Sequence, residues 1–146
     1  MGRVSSLAVG VLLAVPSDAR VQQFAEVTIT GNDYAYINSP AALHAGMTAF
    51  SLVNKGTVPH EMILLRPKPG VSPDSVARSW ASGTARRETT EMPEGVVMAV
   101  PGVRSAGRLL VNLERGKTYM LICNFQDMPD KPRHVALGMF TSFQVK

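Results

Sequence analysis

The chain of 146 residues is long enough to form one domain around a hydrophobic core. Hydrophobic residues make up 45% of it and charged residues 18%, which excludes both a disordered chain and a bundle of membrane helices. The net charge is +4, but no segment is dense enough in lysine and arginine to predict nucleic-acid binding.

The N-terminal segment, residues 1–20, has the layout of a secretory signal. Arg3 precedes an apolar run over residues 7–15, and small residues follow at a cleavage zone around residues 17–19. The apolar run is too short to span a bilayer, so we expect no stable membrane insertion. A buried N-terminal strand is the alternative. Export would place a mature domain, residues 21–146, in the periplasm or outside the cell.

Strand patterns follow this segment. Val27 and Ile29 alternate with threonines, which is the period of a strand with one buried face. A second run ends at the turn signal of residues 54–56. A third strand is predicted in the segment of residues 60–70, where the two prolines end it. From His60 to Leu65 the even-numbered residues share one face and the odd-numbered residues share the other.

One short helix is predicted after the third strand. Ser72 suits an N-cap, Pro73 suits the first helical position and Gly83 suits the stop. Val76 and Trp80 lie four residues apart, on one helical face, so we expect this pair to pack the helix against a sheet. A loop without regular structure is the alternative.

The C-terminal half of the chain adds further strands. The segment of residues 95–102 predicts a strand that its flanking glycines and proline keep short. Residues 107–125 have the pattern of a hairpin that turns at residues 114–117, with Gly116 as its pivot. The segment of residues 134–145 predicts a last strand that closes the chain. Seven or eight short strands with regularly spaced turns predict an all-β, antiparallel β-sandwich with one short helix.

Cys123 is the only cysteine of the chain. In an oxidising compartment it has no partner for a disulfide within the chain, so it is buried, paired with another chain or bound to a ligand. A catalytic thiol, a structural cysteine and a metal ligand are the three interpretations. Nothing beside Cys123 resembles a nucleophile motif, and three histidines are too few for the trinuclear cluster of a multicopper oxidase, so we do not expect an enzyme.

Three other residues with soft or borderline donor atoms accompany this cysteine. His60 opens the third strand, and His134 and Met139 lie in and just after the segment that begins at Cys123. A thiolate, two imidazoles and a distant thioether suit copper electron transfer, because sulfur stabilises Cu(I) and imidazole binds both oxidation states. One cysteine and two histidines also suit zinc, but zinc has little use for the methionine.

At these residues the sequence resembles the cupredoxins, the blue or type 1 copper proteins. The segments that carry the resemblance are GTVPHEM, GKTYMLIC and HVALGM. It implies a Greek-key β-sandwich that binds one copper ion, with His60, Cys123 and His134 as equatorial ligands and Met139 as a weak axial ligand. It also implies a monomeric electron carrier that exchanges electrons with redox protein partners.

The chain departs from the better-known members of that family at two places. Ten residues, 124–133, separate Cys123 from His134, and this long loop resembles that of bacterial cupredoxin-like domains. Glu61 stands where many blue copper proteins carry an asparagine that supports the ligand loop. Two alternatives use the same chain differently: a copper chaperone or scavenger of the cell envelope, and a metal-free β-sandwich that serves as an interaction domain.

Other residues offer the same donor types. Met62 and Met128 are the rival thioethers, of which we expect Met62 to pack in the core and Met128 to contact copper only if its loop folds inward. His44 precedes a strand, and we expect it to be structural or exposed.

Overall fold

The computed structural model describes residues 24–84 and 86–146. The predicted signal segment, residues 1–20, therefore lies outside the described residues. Within the described ranges no helix combines the length and the apolar character needed to cross a membrane.

The described residues form two sheets with nine strands. The strands are β1 (Ala25–Asn32), β2 (Ala35–Ile37), β3 (Ala42–Leu43), β4 (Gly46–Asn54), β5 (His60–Leu65), β6 (Gly95–Ala99), β7 (Leu109–Leu113), β8 (Thr118–Ile122) and β9 (Phe140–Val145). The first sheet has the order β2-β1-β4-β7 and the second the order β3-β9-β8-β5-β6. Two α-helices, α1 (Pro73–Ser82) and α2 (Arg86–Thr89), and one 3-10 helix (His134–Leu137) complete this part of the chain.

The predicted β-sandwich is confirmed, and its topology follows from how often the chain changes sheets. Most neighbouring strands are antiparallel, but β1 pairs with β4 and β3 pairs with β9 in parallel. After the hairpin of β1 and β2 the chain crosses to the second sheet, where it forms β3. It then returns to the first sheet on the other side of β1, which leaves β4 parallel to β1.

The hairpin predicted over residues 107–125 is wrong. β7 pairs with β4 in the first sheet, whereas β8 pairs with β5 and β9 in the second. The turn at residues 114–117 therefore carries the chain from one sheet to the other, and Gly116 adopts a φ of 78° there. The alternating pattern of β7 buries Val111 and Leu113 in the shared core, and such a pattern is the same whichever sheet the strand joins.

Two apolar clusters fix the second sheet between the first sheet and helix α1. Met62 and Leu64 face the core between the sheets, together with fully buried side chains of β1 and β4. On the opposite face, Leu65 packs with Val76 and Trp80 of α1. The two faces predicted for β5 are thus confirmed, and this strand is held rigidly from both sides.

Helix α1 begins and ends where its capping residues predict. The Oγ of Ser72 accepts a hydrogen bond of 3.2 Å from the amide of Ser75, and Pro73 is the first helical residue. Gly83 ends the helix with a φ of 77°, a left-handed conformation that glycine adopts without steric cost.

Candidate metal centre

The strand register brings His60 and Cys123 to the same end of the sandwich. His60 is the first residue of β5 and Cys123 directly follows the last residue of β8. Because these strands are antiparallel neighbours, with Ile63 opposite Ile122, the start of one lies beside the end of the other. The amide of Glu61 donates a hydrogen bond of 3.4 Å to the Sγ of Cys123.

Backbone hydrogen bonds fold the chain after Cys123 back onto it. The amide of His134 donates to the carbonyl of Phe125 at 2.9 Å, and the amide of Cys123 donates to the carbonyl of Met139 at 3.1 Å. A third bond of 3.0 Å joins the amide of Met139 to the carbonyl of His134. Gly138 closes the short 3-10 helix with a φ of 103°. These hydrogen bonds join the two ends of the long loop to each other.

Donor atoms of His60, Cys123 and His134 converge at the end of this loop. The Nδ1 of His134 lies 3.1 Å from the Nδ1 of His60 and 3.4 Å from the Sγ of Cys123. The ligand atoms of the three residues all lie within 4.8 Å of one another, and all three side chains are fully buried. The two imidazoles and the thiol predicted from the sequence are therefore brought together in a site closed to solvent.

Met139, at the end of the loop, borders the same space beside β1 as the ring of His60. Its side chain is fully buried. A Cβ placed on Gly31 would lie 3.3 Å from the Cε of Met139 and 3.5 Å from the Cδ2 of His60. The absent side chain of Gly31 on β1 therefore leaves a space that is bordered by the terminal methyl group of Met139 and by the ring of His60.

The other thioethers and the third histidine are placed differently. Met62 packs in the core between the sheets, as predicted. Met128 is 57% exposed and His44 is exposed. None of the three belongs to the cluster of donor atoms.

Burial controls the protonation of the donors. Desolvation raises the pKa of the Cys123 thiol to about 11, against the opposing effect of the amides of Glu61 and Phe125. Desolvation, and next the neighbouring His134, lower the pKa of His60. Without a metal the site therefore holds a neutral thiol and a neutral His60 at pH 7, and both have lone pairs to offer once the thiol proton leaves.

Glu61 supports the loop from the opposite face of β5. Its Oε1 accepts a hydrogen bond of 2.9 Å from the amide of Asn124, the residue after Cys123. Arg86 donates to the side-chain oxygen of Asn124 at 3.1 Å, and Arg133 donates to its carbonyl at 3.1 Å. The carboxylate is thus directed to the loop backbone. The first turn of the loop is held at three atoms of one residue.

Three polar residues around the histidines were not predicted. The Oδ1 of Asp127 lies 2.9 Å from the Nε2 of His134, and the hydroxyl of Tyr34 donates to the Oδ2 of Asp127 at 3.1 Å. The Oδ1 of Asp33 lies 3.9 Å from the Nε2 of His60. Tyr34 and Asp33 form the turn between β1 and β2, about 90 residues before Asp127 in the chain, and no local pattern in the sequence signals that pairing.

Aromatic rings enclose His134 as well. The ring of Tyr34 packs edge-on against it with 4.9 Å between centroids, and the ring of Phe125 lies at 5.6 Å. The sequence places Phe125 two residues after Cys123, and its backbone carbonyl also fixes the amide of His134. The two rings contribute to the complete burial of the His134 side chain.

No protein-family model and no curated protein matches this chain. Solved structures do match. Auracyanin from the photosynthetic bacterium Roseiflexus castenholzii is 17% identical with a TM-score of 0.57, over 84% of this chain and 97% of that one. Auracyanin A, described as a "blue" copper protein from Chloroflexus aurantiacus, is 17% identical with a TM-score of 0.56, over 85% of this chain and all of that one (100%). The chain has the cupredoxin fold.

Azurin from Methylomonas sp. strain J aligns over a similar extent. It is 16% identical with a TM-score of 0.51, over 84% of this chain and 98% of that one. Identities this low extend the likeness to the fold alone. The function must therefore be argued from the donor cluster of this chain.

Proposed function

We propose that this protein is an exported, monomeric electron carrier that binds one copper ion. His60, Cys123 and His134 would hold the ion through two imidazole nitrogens and a thiolate, and Met139 would offer a weaker thioether donor. The observation that carries the proposal is the convergence of two imidazole nitrogens and one thiol sulfur within 4.8 Å in a fully buried site. The signal-like segment of residues 1–20 supports export to the periplasm or the cell exterior.

The chemistry of the donor set fits copper. Two imidazoles and one cysteine with a distant thioether are the ligands of copper electron-transfer sites, and the thioether of Met139 has no counterpart in common zinc sites. The Nε2 of His60 is buried and has no hydrogen-bond partner among the described residues. If the Nδ1 of His60 binds the metal, the one proton of the neutral ring is on Nε2. That N–H then faces the carboxylate of Asp33.

The surrounding residues fix the positions of the donor atoms and exclude water from the site. Copper bound there would carry one electron by alternating between Cu(I) and Cu(II). The rigid strand β5 fixes His60, and the backbone bonds between Cys123, His134 and Met139 fix the other donors. Donors held in this way keep their positions when the charge changes, which favours fast electron transfer. The amide of Glu61 places one N–H against the sulfur.

A catalytic thiol is poorly supported by the same site. A nucleophilic cysteine needs access to its substrate and a lowered pKa. Cys123 is fully buried, and burial raises the pKa of its thiol to about 11. Its contact with the Nδ1 of His134 therefore does not form an activated pair.

Titration of the purified protein with Cu(II) tests the proposal. We expect one copper per chain and an intense visible band from charge transfer between the thiolate and copper, with a matching paramagnetic resonance signal. Cys123→Ser should abolish the band, while Met128→Leu, a change at an exposed thioether of the same loop, should leave it intact. A wild-type protein that binds no copper and shows no colour would refute the proposal.

Electron transfer and copper delivery differ in exchange rate. For an electron carrier we expect reversible voltammetry and slow loss of copper to a chelator, because the ligands are buried and enclosed by rings. Rapid transfer of the metal to a chelator would favour the copper chaperone instead.

A further inference from the structure

Asp127 uses both carboxylate oxygens at the edge of the donor cluster. Its Oδ1 lies 2.9 Å from the Nε2 of His134, and its Oδ2 accepts a hydrogen bond of 3.1 Å from the hydroxyl of Tyr34. The imidazole is fully buried, and the side chain of Asp127 is only 24% exposed. The long loop after Cys123 therefore covers the second histidine with a carboxylate that is itself fixed by a hydroxyl.

This contact determines which ring nitrogen of His134 carries the proton. A carboxylate only accepts hydrogen bonds, so the Nε2 of a neutral His134 must be the N–H that donates to Asp127. A neutral imidazole has one such proton. The Nδ1 of His134 is therefore left with a free lone pair, and it is this atom that lies 3.4 Å from the Sγ of Cys123.

The proton arrangement at His60 follows from this assignment. The two Nδ1 atoms lie 3.1 Å apart, so one of them must donate. If the Nδ1 of His134 accepts, the Nδ1 of His60 donates and the Nε2 of His60 carries no proton. That Nε2 is the buried ring nitrogen without a hydrogen-bond partner among the residues described. In the metal-free protein, only His134 then has an unprotonated Nδ1 in the donor cluster, whereas the Nδ1 of His60 carries a proton.

The turn between β1 and β2 fixes the carboxylate in place. Tyr34 has a φ of 58°, an uncommon conformation for a residue with a side chain, and its ring packs edge-on against His134. The neighbouring Asp33 is tied to the opposite side of the site, where it accepts a hydrogen bond of 2.7 Å from the amide of Thr57. The turn is therefore anchored next to both histidines.

We propose that Asp127 is a positioning residue for His134: it holds the ring in the tautomer whose Nδ1 lone pair faces Cys123 and His60, and Tyr34 holds the carboxylate. Only the identity of the metal rests on the proposed function. The tautomer is a property of the metal-free protein and can be measured without copper.

The first measurement is ¹⁵N magnetic resonance of the imidazole nitrogens in the metal-free full chain. We expect His134 to carry its proton on Nε2 in the wild type. Asp127→Ala removes the acceptor and should bring a measurable population with the proton on Nδ1. Asp127→Asn keeps a carbonyl oxygen that can accept, so it should retain the wild-type tautomer. Asp130→Asn, which removes the same charge at an exposed position of the same loop, is the matched control and should change nothing.

The second measurement is copper affinity, obtained by competition of Cu(I) and Cu(II) with chelators. We expect Asp127→Ala to weaken binding roughly 10- to 100-fold, the usual effect of losing the hydrogen-bond partner of a metal-binding histidine. Asp127→Asn should restore most of the affinity, whereas the reduction potential should rise in both variants because each loses a negative charge beside the site. Tyr34→Phe keeps the ring, removes only the hydroxyl and should give a smaller loss of affinity.

The outcomes separate this proposal from the proposed function. If wild-type protein binds no copper but Asp127→Ala still shifts the His134 tautomer, the positioning role stands and the electron-carrier proposal fails. If copper binds but Asp127→Ala and Tyr34→Phe keep the wild-type tautomer and affinity, the positioning role is refuted. The amide spectrum outside the loop reports whether each variant is folded, and Tyr34→Phe decides the matter should Asp127→Ala not fold.

Discussion

Glu61 and Asn124 are joined by a hydrogen bond of 2.9 Å from the amide of Asn124 to the Oε1 of Glu61. The two residues directly follow His60 and Cys123, so this bond couples the strand of one donor to the loop of the other. The backbone of Glu61 is fixed as well, because its carbonyl accepts a hydrogen bond from the hydroxyl of Tyr36. The bond between Glu61 and Asn124 therefore keeps the two donor-bearing segments in register.

Removing this bond should loosen the loop. We expect Glu61→Ala to lower the free energy of unfolding by about 1 kcal/mol, the usual contribution of one such hydrogen bond, and to weaken copper binding. Glu61→Gln keeps an acceptor oxygen. Burial raises the pKa of Glu61, which means that the ionised form is disfavoured in the folded protein, so Glu61→Gln should be at least as stable as wild type at pH 7. Urea unfolding of the three metal-free proteins at pH 7 is the measurement, and a glutamine variant as unstable as the alanine variant would contradict this role.

Gly56 leaves room for the first histidine. A Cβ at this position would lie 2.9 Å from the Nε2 of His60 and 2.3 Å from the Oδ1 of Asp33, closer than side-chain atoms approach one another. We expect Gly56→Ala to displace the imidazole, to cost about 1–3 kcal/mol of stability through overpacking, and to reduce copper affinity. Gly107→Ala is the control because a Cβ there meets no atom within 4 Å. Equal copper affinity in the two variants would show that His60 tolerates the added methyl group.

The metal-free protein should lose stability in alkali through Cys123. Burial raises the pKa of the folded thiol to about 11 from an ordinary value of 9.0. The folded state therefore favours the neutral thiol, and this contribution is complete below pH 9 and is lost as the pH rises from 9 through 11. A shift of two units corresponds to about 3 kcal/mol. Unfolding of the wild type and of Cys123→Ser at several pH values isolates the thiol, because the other titrating groups are shared. A difference between the two proteins that is independent of pH would contradict the burial of the thiol.

The N-cap of helix α1 provides a test of stability at a residue away from the donor atoms. The side chain of Ser72 satisfies the amide of Ser75, and we expect Ser72→Ala to cost about 1 kcal/mol. Copper affinity and the reduction potential should not change, because the hydrogen bonds of Ser72 lie within the first turn of α1. The helix meets the segment of His134 further along, where Val76 and Trp80 pack in one cluster with Val135. Thermal unfolding and chelator competition on the same preparation check both statements. A change in potential would reveal a coupling between the helix and the donor cluster.

The features that the sequence predicts correctly depend on short-range signals. Helix α1 is bounded by a serine, a proline and a glycine whose effects act within one turn, and the two faces of β5 follow from strict alternation. His60, Cys123 and His134 are recognised by residue type, and the strand order then brings them together. A metal site can be predicted before the fold is known when its donors are residue types that are rare in the chain, as cysteine and histidine are here.

The features that the sequence does not predict depend on long-range placement. The alternating residues of β7 and the continuous apolar run of β8 predict two strands, but they do not reveal that the strands join different sheets. The pairing of Asp127 with Tyr34 joins residues 93 apart, and aspartate and tyrosine are ordinary at loop and turn positions. The 3-10 helix that presents His134 has only four residues, which is too short to give a periodic pattern.

Met139 offers the sharpest separation of packing from metal chemistry. It is fully buried, and Met139→Leu keeps the volume and apolar character of the side chain while it removes the sulfur. Such exchanges in a core usually cost less than about 1.5 kcal/mol, and we expect the same for Met120→Leu, a buried methionine of the cluster under α1. Only Met139→Leu should change the visible spectrum and raise the reduction potential, because a lost donor and a more apolar site favour the lower charge of Cu(I). Voltammetry of the two copper-loaded variants makes the comparison. Equal shifts in both would mean that the thioether of Met139 only fills space beside His60.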